Sequence, residues 1–200
     1  MGLGLYAESG ALKELYPELD GIRRASLDSE GVSLWALTCA ALDELPTGNA
    51  LLRLGALLRP LEPDAAAALL FRLRLSNAQV DRTLRIVSAP PLPSADASDE
   101  DFRRWLSGVG RDVWPASARV QLALARAGGK LAVGAPGDAT AVVASWRRAR
   151  HVRDSAPPLA VGDLAVDGRT LIGLGLRPGP RFGEILEDLL DWVLGDPERN

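Results

Sequence analysis

Two arginines bracket a Gly/Pro turn near the end of the chain: Arg177-Pro178-Gly179-Pro180-Arg181. A guanidinium presents a planar fork of donors that matches the oxygens of a phosphate. The first N–H groups of a helix add further donors and the positive end of its dipole. Pro180 suits the first position of a helix, where its missing N–H costs nothing. The residues after it therefore place free N–H groups between two guanidiniums, an arrangement that suits an anion and above all a phosphate. Gly179 and Gly183 are the small residues of this candidate site, and a bulkier Gly179 would block close approach to the backbone. Two other basic clusters are candidates for the same chemistry. Arg103 and Arg104 lie on a helix whose other face is Phe102, Trp105 and Leu106, and Arg147, Arg148, Arg150 and Arg153 form the densest cluster. Each cluster reads alternatively as a solvated helix face carrying surface ion pairs, which contribute little to stability.

The elements that must position these groups all have helical periodicity. At the tail, a helix from Asp163 ends at Gly175, placed for the left-handed conformation that only glycine adopts cheaply. A second helix follows the turn, with Phe182, Ile185, Leu186, Leu189, Leu190 and Val193 on one face, and Phe182, Ile185 and Leu189 are expected to be buried with Phe102 and Trp105. Upstream, Leu12, Leu15, Tyr16 and Leu19 form one stripe and Leu34, Leu37, Ala41 and Leu45 another. Ala65–Leu73 is a strong helix former with Pro63 at its start. Ser76 and Gln79 spell a capping box ahead of Val80, Leu84 and Val87. Ser98 caps the helix that carries Arg103 and Arg104. Two more helices are expected over Pro115–Ala127 and Thr140–Arg150. The breaks are Ser26–Val32, Ala89–Ala97, Gly128–Gly137 and Asp154–Gly162, each mixing Gly, Pro, Ser or Asp. No β-alternation or hairpin signal is present. The expected fold is an all-α multi-helix bundle in two parts, residues 1–88 and 98–200.

The chain has 200 residues, 47% of them hydrophobic, and a formal charge of −3. That is enough to bury a real core, and it fits neither a disordered chain nor a uniformly basic one. No apolar run approaches the roughly 18 residues of a membrane span, and the N-terminus has no signal-like pattern, so a cytoplasmic location is expected. The single cysteine, Cys39, permits no internal disulfide and reads as a small core residue. The basic residues are almost all arginine, since only Lys13 and Lys130 are lysine. With this much alanine, that preference reads as a GC-rich coding bias more than as phosphate recognition. Trp35, Trp105, Trp114, Trp146 and Trp192 mostly occupy apolar helix positions, as core rather than base-stacking platforms.

The tail run from Asp163 to Leu186, with Gly195-Asp196-Pro197-Glu198-Arg199-Asn200, resembles the end of the bacterial tRNA nucleotidyltransferases, the CCA-adding enzymes and their poly(A) polymerase relatives. So do Tyr6-Ala7-Glu8-Ser9-Gly10-Ala11-Leu12 with Leu15-Tyr16-Pro17-Glu18-Leu19, then Leu73-Arg74-Leu75-Ser76-Asn77-Ala78, then Asp101-Phe102-Arg103-Arg104-Trp105-Leu106 with Val109-Gly110. The pieces fall in the family's order along nearly the whole chain. The resemblance implies the helical C-terminal part of a class II enzyme, a tRNA-binding region. Its family's catalytic head would lie upstream of residue 1, with the Gly-Ser element for nucleotide phosphates and the D-x-D pair for two metal ions. Mg2+ and CTP or ATP would belong to that head, so no cofactor is expected here, and the implied partners are tRNA and a separate catalytic head chain.

Two local patterns mimic the missing chemistry. Asp99-Glu100-Asp101 spells D-x-D, and Glu100-Asp101-Phe102-Arg103-Arg104 spells the E-D-x-x-R of the family's templating motif. Both open a helix after a loop, without a strand or a Gly-Ser partner, where acidic residues are ordinary complements to the helix dipole. Leu54-Gly55-Ala56-Leu57-Leu58-Arg59-Pro60 resembles the helix that carries a His-Asp metal pair in family members with a phosphohydrolase domain, but Arg59-Pro60 stands in the pair's place. With His151 the chain's only histidine, neither a His/Asp metal cluster nor a Ser/His/Asp triad can be assembled, which leaves only an all-carboxylate metal site open. No catalytic or metal-ligating residue is assigned. The expected function is tRNA binding that holds the 3′ end for a head not present in this chain, through Arg103, Arg104, Arg147, Arg148, Arg150, Arg177, Gly179, Arg181 and Gly183. The alternative is a helical protein-interaction module on the same scaffold, without RNA binding.

Overall fold

The computed structural model describes residues 2–25, 33–131 and 138–200, and among them every regular element is helical. The chain divides into two compact units that are discontinuous in sequence: Met1–Pro91 with Val113–Val142, and Leu92–Asp112 with Val143–Asn200. The break near Ala89–Ala97 is therefore a unit boundary, but the chain returns to the first unit after residue 112. The long helix expected from Pro115, assigned by sequence to the 98–200 part, packs in the first unit.

In the first unit α1 (Gly2–Glu8), α2 (Ala11–Leu15) and α3 (Pro17–Arg24) run in short steps. The stripe Leu12, Leu15, Tyr16, Leu19 is not one helix. Pro17 has no N–H and disfavours the α conformation of the residue before it, so Tyr16 (φ −138°) breaks the run. Leu12 and Leu19 are buried, whereas Leu15 turns outward. Next come α4 (Leu34–Asp43), α5 (Ala50–Leu58), α6 (Pro63–Arg72) and α7 (Asn77–Ser88). Leu12, Leu19, Ile22, Leu58, Ala66, Leu69, Leu70, Val80 and Val87 form one buried cluster. A Cβ on Gly55 would stand 2.7 Å from Ile86 Cγ2, so glycine is what lets α5 approach α7. The capping box of α7 forms, with Ser76 N–H donating to Gln79 Oε1 at 2.9 Å. α9 (Trp114–Leu131) packs along α4 and touches α5 and α7. Ala118, Val120, Ala125 and Ala127 are buried along it, small enough for close helix approach. α9 continues through Gly128 to Leu131; the rest of the break expected to Gly137, and the break at Ser26–Val32, lie outside the described residues.

Two helices end on a left-handed residue closed by the same pair of backbone bonds, one with glycine and one without. After α6, Leu75 N–H donates to Leu70 O at 3.4 Å and Arg74 N–H to Phe71 O at 2.9 Å, with Arg74 at φ +56°. The same paired bonds recur at the tail around Gly175 (φ +88°), as the sequence predicted for that glycine.

The second unit is built on α8 (Asp99–Val109), most of α10 (Ala139–Asp154), α11 (Gly168–Gly173) and α12 (Arg181–Gly195). α8 buries Phe102, Trp105, Leu106 and Val109 at i, i+3, i+4, i+7. Its capping box is complete: Asp101 N–H donates to Ser98 Oγ at 3.1 Å, and Ser98 N–H donates to Asp101 Oδ2 at 3.0 Å. The tail helix expected from Asp163 is shorter than its apolar pattern. A 3-10 turn at Val161–Asp163 gives way to extended backbone, and α11 begins only after Asp167, whose carboxylate accepts from the N–H groups of Arg169 and Thr170, both at 2.9 Å. Phe182, Ile185 and Leu189, expected to be buried, are half-buried, and of α12 only Val193 and Leu194 are fully buried.

Candidate nucleic-acid interface

At the tail turn the first N–H groups of α12 are not the free donors that the sequence suggested: Phe182 N–H donates to Gly179 O at 3.0 Å and Gly183 N–H to Pro180 O at 3.2 Å. Gly175 closes α11, with Leu176 N–H donating to Leu171 O at 3.1 Å and Gly175 N–H to Ile172 O at 2.9 Å. Pro180 adopts helical dihedrals (φ −54°, ψ −32°) directly before the first residue of α12, within the one-residue tolerance of a helix boundary. Arg177, Gly179, Arg181 and Gly183 are all exposed. Neither arginine enters an ion pair among the described residues. A Cβ on Gly183 would meet nothing within 4 Å, and one on Gly179 would meet only Arg177 O at 4.0 Å. Gly179 does not have a positive φ. A larger residue at Gly179 therefore changes access to the backbone without straining the turn.

The other candidate arginines have different surroundings. Arg103 donates from Nε to Leu194 O at 2.6 Å and from Nη2 to Gly195 O at 2.8 Å, capping the C-terminal end of α12. Arg104 donates to Glu100 Oε1 at 2.9 Å and pairs with Asp191 of α12. These two carboxylates, Asp191 first, raise the guanidinium's pKa above its ordinary value. Arg148 pairs with Asp99 at 2.7 Å, linking α10 to α8. Arg150 lies 3.8 Å from Asp154, and Arg153 also holds Asp154. Arg147 is exposed and in no ion pair among the described residues. The nine residues predicted to bind RNA thus fall into three groups. Arg177, Gly179, Arg181 and Gly183 come together at one turn. Arg103, Arg104 and Arg148 fasten α8 to α12 and α10, while Arg147 and Arg150 stay on the outer face of α10. Sequence spacing could not separate these groups, because α8's basic positions flank its apolar stripe and meet whatever that stripe packs against.

The acidic run that spells D-x-D is distributed among three jobs. Asp99 holds Arg148, Glu100 holds Arg104, and Asp101 closes the cap with Ser98. The Ser98 hydroxyl and N–H together keep the Asp101 carboxyl below its ordinary pKa. Arg59, standing where the resemblance would place a metal-binding pair, is a structural cap. Its guanidinium donates to Ile86 O at 2.9 Å, Val87 O at 3.3 Å and Ala89 O at 2.8 Å. Those are last-turn carbonyls of α7 and the residue beyond it, left without intrahelical donors. Burial pushes the Arg59 pKa down, yet an arginine stays charged across any physiological pH. His151 is exposed near the end of α10. Trp105 and Trp114 are buried and Trp35 and Trp146 half-buried, whereas Trp192, expected in the core, is 54% exposed with the Arg199 guanidinium 4.9 Å from its ring centroid.

Among the described residues no helix is long and apolar enough to cross a membrane, and no group of three or more His, Cys, Asp or Glu is placed to hold a metal ion. No family model, curated protein or solved structure matches the chain.

Proposed function

We propose that the chain is the tRNA-binding C-terminal region of a CCA-adding tRNA nucleotidyltransferase-like protein, a class II helical scaffold that holds the acceptor arm while a separate head works on the 3′ end. The observation that carries the reading is the tail turn, where two unpaired arginines flank an open, glycine-lined approach to the start of α12. A phosphate there meets guanidinium donors and the helix's positive end together. Recognition of this kind reads the spacing and shape of an RNA backbone rather than its sequence. Arg147 and Arg150 on α10 are the remaining candidate phosphate contacts. Magnesium and CTP or ATP belong to the head, so the chain alone adds no nucleotide to a tRNA lacking its 3′ end. Extension by even one residue overturns that part of the reading.

The test of binding is a salt series. Each phosphate neutralised contributes roughly 0.7–0.9 to the slope of log affinity against log salt. Arg177→Ala with Arg181→Ala should flatten that slope and weaken tRNA binding while leaving the helix content unchanged. An unchanged affinity and slope remove the phosphate site. The second reading, a protein-interaction module without RNA binding, is favoured by a different observation. Ile172, Leu174 and Leu176 are 51%, 74% and 42% exposed.

A further inference from the structure

The apolar face of α12 is only partly covered within its own unit. Its C-terminal half is anchored on α8 by the carbonyl cap from Arg103 and the Arg104–Asp191 pair. Its first turns carry Phe182, Ile185, Leu186, Leu189 and Leu190 only half-buried. A stripe of this kind covers itself by packing against another apolar helix. The charges along its border indicate which one.

At 3.6 residues per turn, Arg181 and Asp188 stand seven residues apart on the same flank of the stripe. Neither enters an ion pair among the described residues, although Arg104, Arg148 and Arg153 of the same unit are all matched. When two copies of one helix pack antiparallel, a given flank faces the same flank of its twin in reverse order. Arg181 of one copy then meets Asp188 of the other, and Asp188 meets Arg181, so one two-fold axis makes two pairs. A parallel arrangement lacks this match. Gly183, on the opposite flank with open space around it, permits close approach.

We propose that the protein forms a homodimer through antiparallel packing of α12 against α12 of a second copy, with the two-fold axis near Ile185 and reciprocal Arg181–Asp188 pairs closing one flank. Self-complementarity on one patch is the requirement of a closed two-fold interface. The inference does not depend on the RNA reading. RNA bound at the tail turn would compete for Arg181, so assembly is measured without RNA.

Sedimentation velocity on the full chain, from micromolar to sub-millimolar concentration, should give a monomer–dimer equilibrium. Leu189→Glu should leave only monomer. Arg181→Glu or Asp188→Arg alone places like charges together in both pairs and should weaken the dimer about tenfold. The combined Arg181→Glu, Asp188→Arg variant should recover affinity to within about threefold of the parent. All three charge variants alter exposed side chains, and circular dichroism checks that each is folded. A parent that stays monomeric throughout overturns the proposal. So does a dimer that survives Leu189→Glu, or a folded double variant that associates no better than the single ones.

Discussion

Replacing Arg103 with methionine separates a structural arginine from an RNA-binding one. Methionine retains an unbranched apolar stem and removes the guanidinium. What is lost is a pair of charge-assisted hydrogen bonds, 2.6 Å to Leu194 O and 2.8 Å to Gly195 O, across 91 residues of sequence. Hydrogen bonds to charged groups contribute about 1.5–3 kcal/mol each, and a cation at a helix C-terminus adds about 0.3–1 kcal/mol. Part of this returns, because Gly195 is only half-buried and its carbonyl can take up water. The expected cost is about 2–4 kcal/mol, a melting shift of roughly 5–10 °C for a chain of this size. With two compact units, global unfolding need not be two-state. Amide exchange is therefore the sharper assay, and protection should fall in α8 and α12 while α4 and α9 keep theirs. The tRNA salt slope of the folded variant should match the parent. A variant as stable as the parent whose salt slope drops by nearly one unit would refute the clamp and return Arg103 to the RNA surface.

Arg74 sits in the left-handed region at φ +56°, so Arg74→Gly should stabilise by about 0.5–1 kcal/mol in urea unfolding, whereas Gly175→Ala at φ +88° should destabilise by about 1 kcal/mol. Phe102, fully buried, should cost about 3–5 kcal/mol on truncation to alanine, while half-exposed Phe182 should cost about half that or less in the monomer. Asp101, held by the Ser98 hydroxyl and N–H, and Asp167, held by the Thr170 N–H and hydroxyl, both titrate below their ordinary values. Their contribution is fully present above the unfolded pKa of about 3.9 and is lost as pH falls through the lower folded values. Stability measured by denaturant should thus be insensitive to these two groups between pH 7 and pH 5 and decline below about pH 4, and Ser98→Ala should soften that acid decline.

Much of the helical skeleton follows from local rules that a one-dimensional chain states openly. Ser76 with Gln79 and Ser98 with Asp101 pair N-cap and N3 side chains over a single turn, and both boxes form. Gly175 ends α11 because a left-handed residue costs glycine nothing, and Pro17 breaks α2 from α3 because its ring removes a donor. The tail turn was legible for the same reason: Arg177, Gly179, Arg181 and Gly183 are neighbours in sequence, so no folding is needed to bring them together. What the sequence could not state is which amphipathic helix meets which. Arg103 and Arg147 are equally basic in a string of letters, but one finds the C-terminal carbonyls of a helix 91 residues away and the other stays exposed. Arg59 became the cap of α7, and α9 joined the unit that precedes it, only when α4, α5 and α7 were packed around them. The apolar period of α12 marked a face to be covered without saying by what, and in the fold only Val193 and Leu194 of that helix are fully buried. Period and capping act over one turn and are written in the chain; pairing of faces and of charges acts across it, and only the tertiary structure decides it.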